Sequence, residues 1–263
     1  MFNRRQALGI IGSAFASPLL IGGERSLIAN PGVEHIPTGF PVLDAAFDGG
    51  MRRGGLYACA GPCGSGKSLM TRSIAMNASD THNVAYMPMH AEVRNMNRSQ
   101  YQNFNDKNLF LFFAKEQQKE YFEQLRLIAD SVDLIIADCF VEKSKMSADH
   151  LISSARQLAN DIRILQRIAH DTDTAVLLQF QTNRSPVYDN VSRDIVSRDI
   201  IVGGTAANYY CSGIWNMAKN KDFRHSFTAT IHKNRIGPRF STQDMVFVER
   251  DWMLKDSRIS NKA

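Results

Sequence analysis

The stretch "AGPCGSGKSLM", residues 60–70, decides how the rest of the chain is read. Its spacing, Gly61, four residues, Gly66, Lys67 and Ser68, is that of a phosphate-binding P-loop. Glycines let such a loop wrap a polyphosphate, so that backbone N–H groups and the start of the following helix face negative charge. Lys67 is then placed for the β- and γ-phosphates and the Ser68 hydroxyl for Mg²⁺. The motif needs a strand before it and a helix after it. "GGLYACA" just upstream reads as turn glycines followed by a short apolar strand, and Leu69–Ala78 reads as a helix. The loop Gly61, Pro62, Cys63, Gly64, Ser65, Gly66, Lys67 and Ser68 is therefore the candidate nucleotide site, with ATP and Mg²⁺ as its expected ligands.

Outward from this loop the chain alternates strands and helices to about residue 180, the pattern of a parallel sheet covered on both faces. The strand candidates are Leu56–Ala60, Val84–Met89, Leu109–Phe113, Leu134–Ala137 and Ala175–Phe180. Between Ser147 and His170, Leu151, Ala155, Leu158, Ile162, Leu165 and Ala169 step by four and three onto one helix face, a core stripe. Beyond residue 208, "YYCSGIWNM", "SFTATIHK" and "DMVFVE" read as strands of an antiparallel extension. The expected fold class is α/β, a mainly parallel sheet with helices on both faces and that C-terminal extension. A 44% hydrophobic share in 263 residues supplies the core for it.

The formal charge of +5 permits contact with nucleic acid without requiring it. Cys59, Cys63, Cys139 and Cys211 lack the paired spacing of a zinc site or a disulfide framework and read as reduced thiols. Near the N-terminus, "NRRQALGIIGSAFASPLLIGG" resembles a twin-arginine export signal, with Arg4 and Arg5 ahead of an uncharged run and a small-x-small site at Ala14–Ala16. Leu8, Ile11, Phe15 and Leu19 also fall near one helix face, which suits an arm docking on a neighbouring subunit. A nucleotide-binding protein finds little nucleotide outside the cell, so the expectation is a cytoplasmic protein with such an arm, export being the alternative. Interruptions from Gly9 to Gly23 argue against a membrane span. The expected organisation is an arm or signal-like segment over 1–35, an ATPase domain over 36–255 and a tail over 256–263.

Asp138 ends the apolar run "VDLIIADCF", and a carboxylate at the tip of a buried strand beside a P-loop suits a Mg²⁺ anchor. Residues 182–204 form a polar stretch that holds a pentapeptide written twice, "VSRDIVSRDI". Its Arg193 and Arg198, with Arg184 upstream, are either charges of a solvated loop, balanced locally by Asp189, Asp194 and Asp199, or cations available to phosphates, and composition alone favours the solvated loop.

Three blocks carry a family resemblance. "IPTGFPVLDAAFDGGMRRGGLYACAGPCGSGKS", "LQRIAHDTDTAVLLQFQTNRS" and "HKNRIGP" together resemble the RecA-like ATPase domain of DnaB-type replicative helicases, over about Ile36 to Phe247 and weakly around residues 91–130. Gly39, Phe40, Leu43, Asp44, Gly49 and Gly50 stand at the family's places before the P-loop. The resemblance implies a RecA-like P-loop NTPase fold and a homo-oligomer, a hexameric ring acting on single-stranded DNA. It implies that Gln181 senses the γ-phosphate and that Lys233 and Arg235 act as a finger in the next subunit's site. It also turns the 182–204 segment toward the channel, making Arg184, Arg193 and Arg198 candidate DNA contacts.

Two departures qualify it. His90 stands where the family has its water-activating Glu, with Glu92 two residues on, so either serves as the candidate base. Only about thirty-five residues precede the domain, too few for the family's helical N-terminal domain. The expected function is a DnaB-type ATP-dependent helicase or translocase. The alternatives are a RadA- or KaiC-like RecA-family ATPase that does not unwind, and a nucleotide-gated scaffold with weak hydrolysis.

Overall fold

The computed structural model describes residues 35–88, 108–111, 118–138, 148–181, 204–220, 225–235, 237, 242–248 and 253–257. A two-stranded ribbon, β1 (His35–Ile36) with β2 (Met51–Arg52), brackets the short helix α1 (Pro41–Ala46). The Asp44 carboxylate holds the turn before α1 together, accepting from the Thr38 N–H at 2.7 Å and the Gly39 N–H at 3.0 Å. α1 is clamped to the sheet by an aromatic cluster in which Phe47 meets Tyr57 edge-on at 5.4 Å and lies 6.0 Å from Trp215.

The chain then runs β3 (Leu56–Gly61), α2 (Lys67–Ala78), β4 (Val84–Pro88), β5 (Leu109–Leu111), α3 (Gln118–Ala129), β6 (Leu134–Asp138), α4 (Ala148–Thr172) and β7 (Ala175–Gln181). α5 (Gly204–Tyr210), β8 (Gly213–Lys219), β9 (Ser226–Asn234), β10 (Thr242–Val248) and β11 (Met253–Asp256) complete it. The main sheet has the order β11-β10-β9-β8-β3-β7-β6-β4-β5, parallel from β8 to β5 and antiparallel from β8 to β11. The P-loop strand β3 is thus central, with β7 and β8 as its two parallel neighbours. Ligands of such sheets gather beyond the carboxyl ends of the strands, where the P-loop begins.

Strand alternation sorts the core into two layers. One face carries Tyr57, Cys59, Tyr86, Ile136, Leu177, Trp215 and Met217 against α1 and α2. The other carries Ala58, Ala60, Ile135, Val176, Leu178 and Ile214 against α3, α4 and α5. In α4 the expected stripe positions Leu158, Ile162, Leu165 and Ala169 are buried. The C-terminal strand is tied back to the P-loop helix, where the Leu254 N–H donates to Ser73 Oγ at 2.8 Å.

The structure corrects the reading near residue 209. Tyr209 and Tyr210 close helix α5 rather than open a strand, because Ala206 and Ala207 supply a small apolar face that buries against the sheet. That helix crosses the sheet before β8, so β8 joins β3 in parallel and the antiparallel extension starts one strand later. Helix α3 occupies a region to which the sequence reading assigned no element. The N-terminal segment, with Arg4 and Arg5, lies outside the described residues. Among those described, no helix is long and apolar enough to cross a membrane.

Candidate nucleotide site

Gly61 ends β3, in register with Gln181 of β7, and the loop turns away from there into α2. A side chain at Gly61 would put its Cβ 2.7 Å from the Met217 carbonyl, so only glycine passes between β3 and β8. Gly66 caps α2 in the left-handed conformation, φ +86°, and its Cα lies against the Phe227 ring, 2.6 Å from where a Cβ would stand. This cap starts the helix at Lys67, two residues before the position expected.

Inside the loop, Lys67 is buried and its Nζ donates to the Pro62 carbonyl at 2.8 Å, which holds the ammonium within the curl of the backbone. Ser65 is buried too, and its Oγ has no hydrogen-bond partner among the described residues. An unpaired buried hydroxyl costs free energy unless a ligand meets it. Cys63 and Gly64 form the exposed rim of the loop. The other described cysteines are core thiols: burial pushes both Cys59 and Cys211 up to about 12.

Beneath the loop lies a polar cluster on the α2 side of the sheet. Ser68 Oγ donates to Asp138 Oδ1 at 3.1 Å, bringing together two residues seventy positions apart. Asp138 Oδ2 accepts the Tyr86 hydroxyl in a short hydrogen bond, and the Gln179 amide lies within 3.2 Å of Ser68 Oγ. Tyr86, Asp138 and Gln179 are all buried. A hydroxyl and a carboxylate are hard oxygen donors, the set Mg²⁺ takes alongside phosphate and water. With the orphaned Ser65 Oγ and the glycine-shaped loop above, the residues present fit a nucleotide and its magnesium ion.

Tyr86 and Gln179 were missed in the sequence. For Gln179 the signal was there: in "AVLLQFQ" it is a polar residue inside an otherwise apolar strand, on the same face as Leu177.

Lys233 and Arg235 lie elsewhere. Lys233 is opposite Ile214, which is opposite Ala58, while the Arg235 N–H donates to the Ser212 carbonyl and the Ser212 N–H to that of Leu56. Gly61 lies five steps along β3 from Leu56 and three from Ala58, about 16 Å and about 10 Å at a strand's rise, so Arg235 sits at the end of the sheet away from this chain's own P-loop and Lys233 on the same side of it. Their side chains make short hydrogen bonds to the carbonyls of Asn208 and Tyr209, at the C-terminus of α5. His90, Glu92, Arg184, Arg193 and Arg198 lie outside the described residues, as does the side chain of Gln181.

Comparison with solved structures gives a crystal structure of the RadB recombinase, with a TM-score of 0.61 over 84% of this chain and 99% of that one at 18% identity. The fold is RecA-like. Two curated proteins are similar in sequence, both named DNA repair and recombination protein RadB. That of Methanobrevibacter smithii is 29% identical over 214 residues, covering 76% of this chain and 87% of that protein. That of Archaeoglobus fulgidus is 26% identical over 211 residues, covering 76% and 89%. No family model matches the chain. The RecA-like part of the expectation is met, and these similarities point to recombination proteins rather than to replicative helicases.

Proposed function

We propose that this chain is a RecA-type ATPase that binds DNA in repair or recombination and does not unwind it; the sequence alone offered a RecA-family ATPase without unwinding as the alternative, with no repair role. The observation that carries it is the Ser68–Asp138 contact under the P-loop, which suits a nucleotide's cation, on a fold shared with RadB. The similarity to two DNA repair and recombination proteins supports DNA as the partner.

In this reading the loop amides and Lys67 bind the phosphates, while Ser68 and Asp138 hold the cation. Bound Mg²⁺ would neutralise charge on the phosphate oxygens. Gln181, at the tip of β7, reports the terminal phosphate, and His90 or Glu92 orients the attacking water. Lys233 and Arg235 complete the site of a neighbouring subunit, a role supported by their distance from their own P-loop. Arg184, Arg193 and Arg198 meet the DNA backbone.

The test is ATP turnover with and without single-stranded DNA, beside strand separation on a forked duplex. ATP-dependent binding of single strands with slow turnover and no unwinding is expected. Unwinding would restore the DnaB-type reading, and DNA binding indifferent to ATP would defeat both.

A further inference from the structure

The Gln179 amide is buried in the central strand β7, and among the described residues its hydrogen bonds go to one atom. Its Nε2 donates to Ser68 Oγ at 3.2 Å, and its Oε1 lies 3.4 Å from the same oxygen, within reach of the hydroxyl proton. The competing acceptor for that proton is Asp138 Oδ1 at 3.1 Å, while Asp138 Oδ2 is already engaged by Tyr86. A serine hydroxyl has one proton and two lone pairs. To lend a lone pair to a cation it must turn its proton to an acceptor and shed any donor that points at it. If Asp138 takes the proton, that carboxylate oxygen is lost to the cation or its water. If Gln179 Oε1 takes it, Asp138 Oδ1 is released. The terminal torsion of glutamine is broad and roughly two-fold, so a turn of the amide exchanges donor for acceptor.

We infer that Gln179 is a positioning residue for the nucleotide's cation: its amide oxygen holds the Ser68 proton, so that Ser68 Oγ and Asp138 Oδ1 both face Mg²⁺. The inference rests on the ATP–Mg²⁺ reading of the site. It assigns a role to a residue two positions before Gln181, to which the sequence reading gave none.

The test is a Mg²⁺ titration of the binding of fluorescent N-methylanthraniloyl-ADP to the full chain, with thermal melting in parallel. Gln179→Met keeps the volume and removes both polar atoms. It should raise the half-saturating Mg²⁺ concentration about tenfold, the scale of losing a group that orients a metal ligand. Nucleotide binding in EDTA and the melting temperature should stay at wild-type values. Gln179→Glu keeps an acceptor and cannot donate, so its Mg²⁺ midpoint should fall to or below that of the wild type. A Gln179→Met midpoint equal to the wild type's, or equal upward shifts in both variants, overturns the inference while leaving the site reading intact. Wild-type binding that ignores Mg²⁺ overturns both. Should Gln179→Met fail to fold, Gln179→Glu decides alone, and a raised midpoint there refutes the role.

Discussion

The Arg235 N–H donates to the Ser212 carbonyl at 3.1 Å, and this bond fixes Arg235 at the end of the sheet opposite the P-loop. A cation there is out of reach of its own chain's P-loop, and the proposed finger role requires a second subunit. Mixing Arg235→Ala with Lys67→Ala subunits should therefore restore part of the turnover that each lacks alone, since hybrid interfaces pair an intact loop with an intact finger. Mixed oligomers with no recovered activity would exclude the trans role.

Lys67→Ala removes the buried ammonium that lies within the loop. Loss of a charge-assisted hydrogen bond predicts nucleotide affinity weaker by about 10- to 100-fold with the fold retained. Fluorescent nucleotide titration together with far-ultraviolet circular dichroism checks it, and undiminished affinity would refute the phosphate-binding role.

Gly66→Ala places a side chain in a left-handed residue and against the Phe227 ring. The backbone cost alone is about 1–2 kcal/mol, and displacing a buried aromatic adds to it. Melting should drop by about 5 °C, since about 2–4 °C accompanies each kcal/mol in a domain of this size. An unchanged melting temperature would contradict the contact.

His82 is buried beside Arg53 and Asp133, and burial lowers its pKa from the usual 6.5 despite the pull of Asp133. The unfolded chain then takes up a proton before the folded one. Stability is unaffected above 6.5, falls as the pH drops below it, and levels off below the folded-state value. Denaturation midpoints over about pH 5 to 8 should show this loss, and His82→Gln should flatten it. His232, also lowered by burial, contributes in the same direction. A His82→Gln profile identical to that of the wild type would remove His82 from the account.

Replacing both Arg193 and Arg198 with Ala should weaken single-strand binding on all sequences and reduce its salt dependence, because fewer counterions are released. Binding isotherms at several salt concentrations read both effects. An unchanged slope would make the repeated pentapeptide a surface loop only.

Local signals carried the sequence reading where they were strong. The glycine spacing of residues 61–68 marked the loop, and a lone carboxylate at the end of an apolar run marked Asp138, which the structure sets against Ser68. The stripe in α4 was legible because four buried positions share a helical face. What escaped was non-local. Nothing near Tyr86 announces the carboxylate that it touches fifty-two residues on, and Gln179 gains its meaning only when β7 lies beside β3. The aromatic pair Tyr209–Tyr210 favoured a strand by propensity, and burial of the neighbouring alanines overrode it. The DnaB-like blocks led to the RecA-like fold, which the RadB crystal structure shares, and not to the relatives' recombination role.

β9 has a consequence for any assembly of this chain. Phe227 near its start rests on Gly66 of the P-loop, and Lys233 near its end, held by the Asn208 carbonyl, lies six residues or about 20 Å away. A ladder to β8 holds it from Phe227 to Asn234 and one to β10 flanks Ser226–Thr230, and its one irregularity among the described pairs is the extra residue His232, between Lys233 and Ile231. It is a tie-rod that runs from the P-loop at one end to the opposite edge of the sheet at the other. Subunits joined through that end would stand in series, and a displacement at one loop would be carried along the rod to its neighbour with a single point of give.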